Sequence, residues 1–456
     1  MLTVAYLANQ YPSAVELYVM EEIEELRRRG VRVIAGSVRK PRTDLPLMVT
    51  CEPEVVLQHL PPIILLRAIY LCVRQWRPIS SLIVRVVFRG KESSFKRMKA
   101  LAHTWLGACY AVLLEGQGVD HIHVHHGYFG SWIAMVAARL LDVPFSMTLH
   151  GSDLLLHGTY LDAKLESCTF CLTVSEYNRR YVLQRYPAVD AAKVVVARLG
   201  VEVSERDAIP VPRPKTRADP FRLLAVGRLH AVKDHAFLVR ACAKLQDLDV
   251  DFECSIAGEG TEHRNLEALI RNCSLEKRVT LLGHVAREPM NALYDRTDVV
   301  VLTSRSEGIP LVLMEAMARG KIVLAPAITG IPELVITGKT GFLYAPGSLE
   351  DFVARLLFIH SPMPHALMPG LPMPSSLMPG SPMSSSPMQA PDRPDLPPHI
   401  FSAARRLDWV RHAARVQVRH NFNRKWNLES FGDLFLDRIT PHTESVHHEN
   451  FVLQQI

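Results

Sequence analysis

Short apolar runs alternate with longer amphipathic stretches along the first 200 residues of the chain. Each run has four or five residues, which is typical of a buried strand in a parallel sheet. The predicted strands are Val4–Leu7, Val31–Ala35, His121–His125, Phe145–Leu149 and Phe170–Val174. Helical spacing lies between them, for example over Ala14–Arg29 and Trp132–Leu140, so the order is that of right-handed βαβ units.

The same alternation restarts after residue 220. Residues 201–220 are charged, contain proline and lack periodicity, so we interpret them as a linker. The predicted strands that follow are Phe221–Val226, Phe252–Ala257, Val279–Leu282, Val299–Leu302 and Ile322–Ala325. The pattern therefore predicts two Rossmann-like, doubly wound α/β domains, over residues 1–200 and 221–360, that face each other across a cleft. Ligands of such sheets bind beyond the carboxyl ends of the strands, so the loops after the strands should carry the chemistry.

Residues 361–400 break this pattern. Methionine recurs at every fifth position from Met363 to Met388, interleaved with Pro, Ser and Gly. The density of proline excludes a helix or a sheet ladder, and we interpret the stretch as a disordered insertion. Helical spacing returns over residues 401–440, where two helices are predicted, and residues 441–456 form a tail.

Composition narrows the class of protein. The chain has 456 residues, of which 48% are hydrophobic and 21% charged, and this argues against global disorder. Lys and Arg total 52 against 46 acidic residues, a net charge of only +6 that does not suggest a nucleic-acid partner. The first residues lack the basic flank and cleavage site of a signal peptide, and no apolar run is long enough to span a bilayer. We therefore expect a cytoplasmic protein.

One segment is far more basic than the average. Between residues 55 and 104, nine Lys or Arg residues face a single acidic residue, Glu92, so the segment carries +8. Aliphatic and aromatic residues are interleaved with these cations. Two interpretations stay open: adsorption to an anionic membrane surface at the inner face of the membrane, or a core-packed helical region with a solvated basic face. Nucleic acid is disfavoured as a partner because no recognition motif accompanies the charge.

The densest cluster of chemistry-bearing residues directly follows the predicted strand Val299–Leu302. Ser306 is expected to cap a helix that has Pro310 in its first turn. The amides of Gly308 and Ile309 at this helix start can then receive an anionic or hydroxylated ligand.

Two glutamates accompany this predicted helix start. Glu307 lies just before the helix and Glu315 eight residues further on, so at the helical rise they are separated by about 12 Å or less. That distance is comparable to the reach from the hexose of a nucleotide sugar to its ribose, which would let Glu307 meet the sugar and Glu315 bind ribose hydroxyls. By spacing alone, however, capping and solubility explain two such glutamates more readily.

A pair of cations follows the predicted strand Phe221–Val226. Arg228 and Lys233 lie in one loop, and two cations beyond the carboxyl end of a strand suit a diphosphate leaving group. A basic pair is otherwise typical of a solvated surface. Gly258 and Gly260, after the next predicted strand, allow close approach of the backbone.

Taken in order, these motifs resemble those of a family 4 retaining glycosyltransferase of the GT-B fold, of the bacterial exopolysaccharide and lipopolysaccharide type. The E-x7-E element from Glu307 to Glu315 is that family's signature. The other matching motifs are Gln10–Pro12 with Glu16, Leu149–Asp153, Gly227–Arg228 with Lys233, Gly258–Gly260, Leu282–Val285 and Thr329–Glu333. The final stretch, His412–Ile439, resembles the closing helices of that fold, which return to the first domain.

The resemblance implies transfer of a sugar from a nucleotide-sugar donor to a lipid-linked or glycan acceptor. Arg228 and Lys233 would hold the donor diphosphate. Glu307 would bind the transferred sugar and Glu315 the ribose, and His150 would face the sugar from the first domain. Such a site needs neither a metal nor a cofactor, because cations and helix-start amides neutralise the leaving group. The alternatives are a non-catalytic sugar-nucleotide-binding or scaffold protein and a nucleotide-sugar epimerase of the same fold.

Four histidines between His121 and His126 also suggest a metal site. Alternate residues of a strand share one face, so three of the imidazoles could converge on an ion. The run is nevertheless a predicted buried strand that leads into the cleft, and lining of that cleft is the favoured interpretation.

Overall fold

The computed structural model describes residues 1–13, 16–40, 52–89, 92–156, 158–203, 219–360 and 403–440. Most of the predicted linker, the whole methionine- and proline-rich insertion and the tail lie outside the described residues. The chain divides into two compact units. The first comprises Met1–Thr173, Arg179–Ala197 and Trp426–Ile456, and the second comprises Val174–Asn178 and Arg198–Lys425.

The first unit is built on a seven-stranded parallel sheet of order β3-β2-β1-β4-β5-β6-β7. Its strands are β1 (Thr3–Gln10), β2 (Arg32–Arg39), β3 (Val55–Val56), β4 (His121–His125), β5 (Phe145–Leu149), β6 (Cys171–Thr173) and β7 (Val194–Val196). Alternate residues of β1 enter two separate cores, with Ala5 and Leu7 on one face and Val4 and Tyr6 on the other. Both faces of the sheet are therefore covered, which explains the uninterrupted apolar run Val4–Leu7 of β1.

Helices cover this sheet. They are α1 (Leu17–Arg28), α2 (Pro62–Arg74), α3 (Trp76–Val87), α4 (Ser94–Leu114), α5 (Phe129–Leu141), α6 (Ser152–Leu155), α7 (Leu161–Ser167) and α8 (Glu176–Arg185), of which the residues from Arg179 onward belong to this unit. The last helix, α16 (Arg424–Ile439), joins the same unit, where the Phe435 ring lies 5.0 Å from that of His123 and 5.6 Å from that of Phe170.

The second unit repeats the design with a six-stranded parallel sheet of order β10-β9-β8-β11-β12-β13. Its strands are β8 (Phe221–Val226), β9 (Phe252–Ala257), β10 (Val279–Gly283), β11 (Val299–Val301), β12 (Ile322–Pro326) and β13 (Phe342–Tyr344). Its helices are α9 (His235–Asp247), α10 (His263–Asn272), α11 (Arg287–Arg296), α12 (Leu311–Ala318), α13 (Ile331–Leu334), α14 (Leu349–His360) and α15 (Ala403–Asn421). Leu223 and Leu224 of β8 again point into different cores, so this sheet too is covered on both faces.

These two sheets confirm the predicted fold class of two doubly wound α/β domains. Four strands, β4, β5, β8 and β9, have the bounds that the apolar runs predicted. In each sheet the strand order changes direction beside the first strand, between β1 and β4 and between β8 and β11. Such switch points open a crevice at the carboxyl ends of the strands, so each unit has one place where a ligand site is expected. Among the described helices, none combines the length and hydropathy needed to cross a bilayer.

Candidate functional site

The loops after β8 and β11 meet at the switch point of the second unit. Arg305 N donates to Val232 O at 2.8 Å, and Thr303 Oγ1 donates to Lys233 O at 2.9 Å. The Arg305 guanidinium also pairs with Asp234 at 2.8 Å. These bonds hold the two loops against each other and fix the side chains that project from them.

Lys233 and Glu307, which the sequence placed in separate motifs, are brought together here. Lys233 Nζ donates to Glu307 Oε1 at 2.5 Å, and only 23% of the lysine and 11% of the glutamate side chain are exposed. A charge-assisted hydrogen bond in such a partly desolvated position is stronger than one at the surface. The pair therefore sets one cation and one carboxylate at the crevice, as a site for an anionic, hydroxylated ligand requires.

Arg228 lies in the same loop as Lys233 but is exposed, and it forms no ion pair with any other described residue. The structure thus joins one of the two predicted cations to Glu307 and leaves the other at the surface of the second unit. An unpaired guanidinium keeps its fork of donors for an external anion.

The prediction that Ser306 caps the following helix is wrong. Helix α12 begins at Leu311 with Pro310 as its N-cap, in an extended conformation, so residues 306–309 form a loop ahead of the helix. The Ser306 hydroxyl is buried and makes no hydrogen bond to the described residues. The amides of Gly308 and Ile309 likewise donate to no group in the residues described, so unpaired donors do collect at the start of this helix.

Glu315 lies within α12 and is exposed as a residue. Its Oε2 accepts a hydrogen bond from Tyr294 Oη at 2.9 Å, and the Arg319 guanidinium lies 5.5 Å from the centre of the same tyrosine ring. The protein around the carboxyl group partly desolvates it and raises the pKa of Glu315, against the opposing effects of Tyr294 and Arg319. Tyr294 therefore orients the carboxylate, a role that the sequence did not reveal.

Gly258 allows two backbone loops of the site to approach each other closely. Its φ is +149°, and a Cβ at this position would lie 1.9 Å from Gly227 O. Gly227 N in turn donates to Ala257 O at 2.9 Å, and Leu229 N donates to Glu259 O at 2.8 Å. The close approach that the sequence predicted is therefore an approach between two loops, and it positions the loop that carries Arg228.

Glu333 is a residue whose role the sequence did not predict. Its carboxylate accepts the amides of Glu176 at 3.0 Å and Tyr177 at 2.6 Å, at the start of α8. The adjacent Gly330 approaches Gly308 so closely that a Cβ would lie 2.6 Å from Gly308 O. The Thr329–Glu333 motif thus supports the loop before α12, and an acidic residue that caps a helix remote in sequence gives no local signal.

In the first unit, His150 belongs to a buried chain of hydrogen bonds. His150 Nε2 lies 2.9 Å from His125 Nδ1, and His125 Nε2 lies 3.0 Å from Glu22 Oε2 and 2.9 Å from Tyr6 Oη. Burial, together with the neighbouring rings of His126 and His125, lowers the pKa of His150 well below its usual value. His150 is therefore a neutral imidazole near pH 7, with one nitrogen held by His125.

His126 beside it has the opposite protonation. Its Nε2 lies 3.0 Å from Glu16 Oε1, and its Nδ1 lies 3.7 Å from Asp153 Oδ2. Burial alone would lower the pKa of His126, but the Asp153 and Glu16 carboxylates outweigh it and raise this pKa to about 9. Asp153 also accepts the amides of Gly127 at 2.8 Å and Gly151 at 2.7 Å, so an ionised carboxylate and an imidazolium fix this turn.

Glu22, His123 and His125 form a group whose ligand atoms lie within 4.8 Å of one another, close enough to surround a metal ion. Both nitrogens of His123 are already paired, with Ser146 Oγ at 2.7 Å and Thr148 Oγ1 at 3.1 Å. Burial is the main reason that the pKa of His123 is well below its usual value, and His125 bonds to Glu22 and His150. This chemistry favours a buried polar network over a metal centre.

Two family models match the chain along most of its length. The model of glycosyltransferase family 4 matches residues 15–205, and that of glycosyl transferases group 1 matches residues 211–362. The chain is 35% identical to WcaL of Escherichia coli K12, named as a glycosyltransferase of colanic acid biosynthesis, over 170 residues that are 36% of this chain and 41% of WcaL. It is 33% identical to the amylovoran biosynthesis glycosyltransferase AmsK of Erwinia amylovora, over 37% of this chain and 42% of AmsK.

The aligned regions thus span about two-fifths of the length of these curated relatives. Among solved structures, HepE of Anabaena in complex with UDP and glucose superimposes with a TM-score of 0.61 at 16% identity, covering 96% of this chain and all of that one. At this identity the likeness concerns the fold, which is the one that the resemblance implied. The chain belongs to the glycosyltransferases, with a family 4 domain in its first part and a group 1 domain in its second.

Proposed function

We propose that this chain transfers a sugar from a nucleotide-sugar donor to a lipid-linked or glycan acceptor in the synthesis of a cell-surface polysaccharide. The observation that carries the proposal is the pairing of Lys233 with Glu307 at the switch point of the second unit, where the unpaired amides of Gly308 and Ile309 also collect. The relatives named for colanic acid and amylovoran synthesis support the type of pathway. HepE, which binds UDP and glucose, supports the class of donor.

Different residues of the site bind different parts of the donor. Arg228 and Lys233 hold the diphosphate, whose negative charge grows as the glycosidic bond breaks, and the amides of Gly308 and Ile309 add neutral donors to the same charge. Glu307 meets the transferred sugar. Glu315, oriented by Tyr294, binds the ribose hydroxyls.

We propose further that the reaction retains the anomeric configuration and needs no metal or cofactor. Cations and helix-start amides stabilise the leaving diphosphate, which is the role that a divalent cation plays elsewhere. The acceptor hydroxyl attacks from the face that the leaving group vacates and passes its proton to the departing diphosphate, while the Glu307 carboxylate stabilises positive charge on the sugar. His150, a neutral imidazole, accepts a hydrogen bond from a hydroxyl of the donor sugar.

We also propose where the chain acts. A nucleotide sugar is made in the cytoplasm, so the chain works there, at the inner face of the membrane when its acceptor is lipid-linked. This part of the proposal is supported by the basic segment between residues 55 and 104.

The test begins with a screen of nucleotide sugars by thermal shift, since a ligand that binds only the folded chain raises its melting temperature. With the donor identified, Glu307→Ala and Arg228→Ala should abolish transfer to a membrane or glycan extract while circular dichroism stays that of the folded chain. Arg228→Ala should keep the melting temperature, whereas Glu307→Ala leaves Lys233 without its partner and should lower it by roughly 2–4 °C for each kcal/mol lost. Arg264→Ala, at an exposed position on α10, is the matched control and should retain full turnover.

Retained turnover in both Glu307→Ala and Arg228→Ala would overturn the proposed site. If the unmodified chain binds the donor but neither transfers its sugar nor hydrolyses it, the chain is a sugar-nucleotide-binding protein and the proposed enzymatic function is wrong.

A further inference from the structure

We propose that α2, α3 and α4 of the first unit form a lipid-docking face that binds an anionic phospholipid bilayer and takes an acyl chain into the cavity between these helices. The inference deepens the membrane part of the proposed function, but the contact with lipid does not depend on sugar transfer.

The lipid-docking face holds an unusual share of the exposed apolar surface. Thirteen of the 21 large apolar side chains that are exposed among the described residues lie between residues 63 and 105. They are Ile63, Leu66, Ile69, Tyr70, Val73, Trp76, Val84, Val87, Phe88, Phe95, Met98, Leu101 and Trp105. A concentration of exposed apolar side chains of this kind on a folded chain marks a site of interaction, because leaving them in water is unfavourable.

The apolar side chains form stripes along the helices. On α2 they recur at Ile63, Leu66, Tyr70 and Val73, of which Val73 is 71% exposed, while Ala68 of the same helix is fully buried. On α4 the spacing continues from Phe95 through Met98 and Leu101 to Trp105. Steps of three and four residues place each set on one helix face, so both helices turn an apolar stripe outward while other residues fill the core.

A cavity of about 580 Å³ opens between the three helices. Ile69, Val73, Trp76, Leu101 and Trp105 line it, so the cavity is continuous with the exposed stripes. The hydroxyl of Thr104 also lines it, but this group already accepts from Trp132 Nε1 at 2.9 Å and donates to Ala100 O at 2.9 Å. The lining is therefore almost entirely apolar and suits a hydrocarbon chain.

The charge around the stripes identifies the occupant. Between residues 55 and 104 the sequence carries +8. Arg74, Arg77 and Lys96 are exposed and make no ion pair within the described residues. A second copy of the chain on this face would set cations against cations, whereas anionic headgroups would neutralise them while the apolar side chains enter the acyl region.

The experiment measures binding of the full chain to vesicles by co-sedimentation, with phosphatidylcholine vesicles compared to vesicles that contain phosphatidylglycerol. We expect binding to the anionic vesicles that weakens with salt, and little binding to neutral ones. Replacing Arg74, Arg77 and Lys96 together by Gln should weaken the partition by about 100-fold, at roughly fivefold for each cation near the surface. The double variant Val73→Ser with Met98→Ser should also weaken binding to the vesicles, because it removes apolar contacts with the acyl chains. Both positions are exposed enough for the fold to persist.

The matched control variant is Leu248→Ser with Arg271→Gln, an exposed apolar residue and an exposed cation of the second unit. It should bind vesicles as the unmodified chain does. Lipids brominated on their acyl chains report on the cavity directly, since they should quench Trp76 and Trp105. That quenching should disappear when both tryptophans are replaced by Phe.

Three results would overturn the proposal: no binding to anionic vesicles, binding that the variants leave unchanged, or a concentration-dependent dimer that Val73→Ser with Met98→Ser dissociates. Failure of the proposed function is distinguishable from failure of this face. A chain that binds vesicles but shows no donor binding or transfer contradicts the enzyme, and one that transfers sugar but ignores vesicles contradicts the lipid-docking face alone.

Discussion

Lys233 Nζ and Glu307 Oε1 lie 2.5 Å apart, although 74 residues separate them in the sequence. Each belongs to the loop after one of the two strands that flank the switch point of the second sheet. Their pairing unites a motif that suits a diphosphate with one that suits a sugar, at the position where open α/β sheets bind ligands.

We expect Lys233→Met and Glu307→Gln to show strong coupling in stability. Each single change leaves a partly buried charge without its partner, so the double variant should be more stable than the sum of the single effects predicts, by about 1 kcal/mol or more. Denaturant unfolding of the four proteins measures this coupling. Additive effects within error would contradict an ion pair that contributes to the fold.

The same two variants should affect different kinetic constants of sugar transfer. Glu307→Gln removes a charge that faces the sugar, so we expect kcat to fall about 100-fold or more. Lys233→Met removes a contact to the diphosphate, so it should both lower kcat and raise KM for the donor. Lys244→Met, at an exposed position on α9, is the matched control and should leave both constants unchanged.

Gly258→Ala should disrupt the donor loop. The added Cβ would meet Gly227 O at 1.9 Å, and the φ of +149° is unfavourable for alanine, so the loop that carries Arg228 must shift. We expect a loss of stability of about 2 kcal/mol or more, together with weaker donor binding in a thermal-shift titration.

Gly283→Ala provides the control for that change. Gly283 has φ +67° but nothing within 4 Å of its added Cβ, so only the backbone strain of about 1–2 kcal/mol applies. Equal effects of the two substitutions on donor binding would show that the contact with Gly227 does not position the loop.

The strands could be predicted from the sequence because a doubly covered parallel sheet demands continuous apolar runs. Strand β8, with five apolar residues out of six, has its predicted bounds, and so does β4 despite its three histidines. The edge strands β3, β7 and β13 have only two or three residues and leave no comparable pattern. The helix start at α12 was misplaced because Pro310 takes an extended conformation, so the helix begins after it rather than at Ser306.

Contacts between residues that are distant in sequence could not be predicted either. Glu22 and His125 are 103 residues apart, and their hydrogen bond follows from the packing of α1 against the sheet, which no local spacing encodes. The motif order did indicate His150 as a site residue, but neither its hydrogen bond to His125 nor its lowered pKa has a signal in the sequence.

His126 should make stability depend on pH. Its pKa is about 9 in the folded chain against a usual 6.5, so the folded state binds more protons between these values. The stabilisation, roughly 3 kcal/mol, is complete below pH 6.5 and is lost as the pH rises through 9. Denaturant unfolding of the unmodified chain and of His126→Gln should show a difference in stability that shrinks over this window.

Lys164 acts in the opposite sense. Burial lowers its pKa to about 7, so its effect on stability rises with pH between about 7 and the usual 10.5. Comparing His126→Gln with the unmodified chain cancels this contribution. His263→Gln, at a half-exposed histidine paired with Glu267, is the matched control. A pH dependence that His126→Gln leaves unchanged would contradict the assignment.

Glu22 should position His150 through His125. Because the Glu22 carboxylate accepts from His125 Nε2, the Nδ1 of a neutral His125 is an acceptor, and His150 must donate to it from Nε2. The lone pair of His150 is then on Nδ1.

Glu22→Gln removes the charge that selects this arrangement, so we expect the ¹⁵N resonances of His150 to move toward a mixture of tautomers. We also expect kcat to fall by at least about tenfold, as when a carboxylate that orients an imidazole is lost. Glu24→Gln, two residues further along and on the exposed side of α1, should change neither. A loss of activity in Glu22→Gln without a change in the His150 resonances would mean that Glu22 supports the fold and does not set the tautomer.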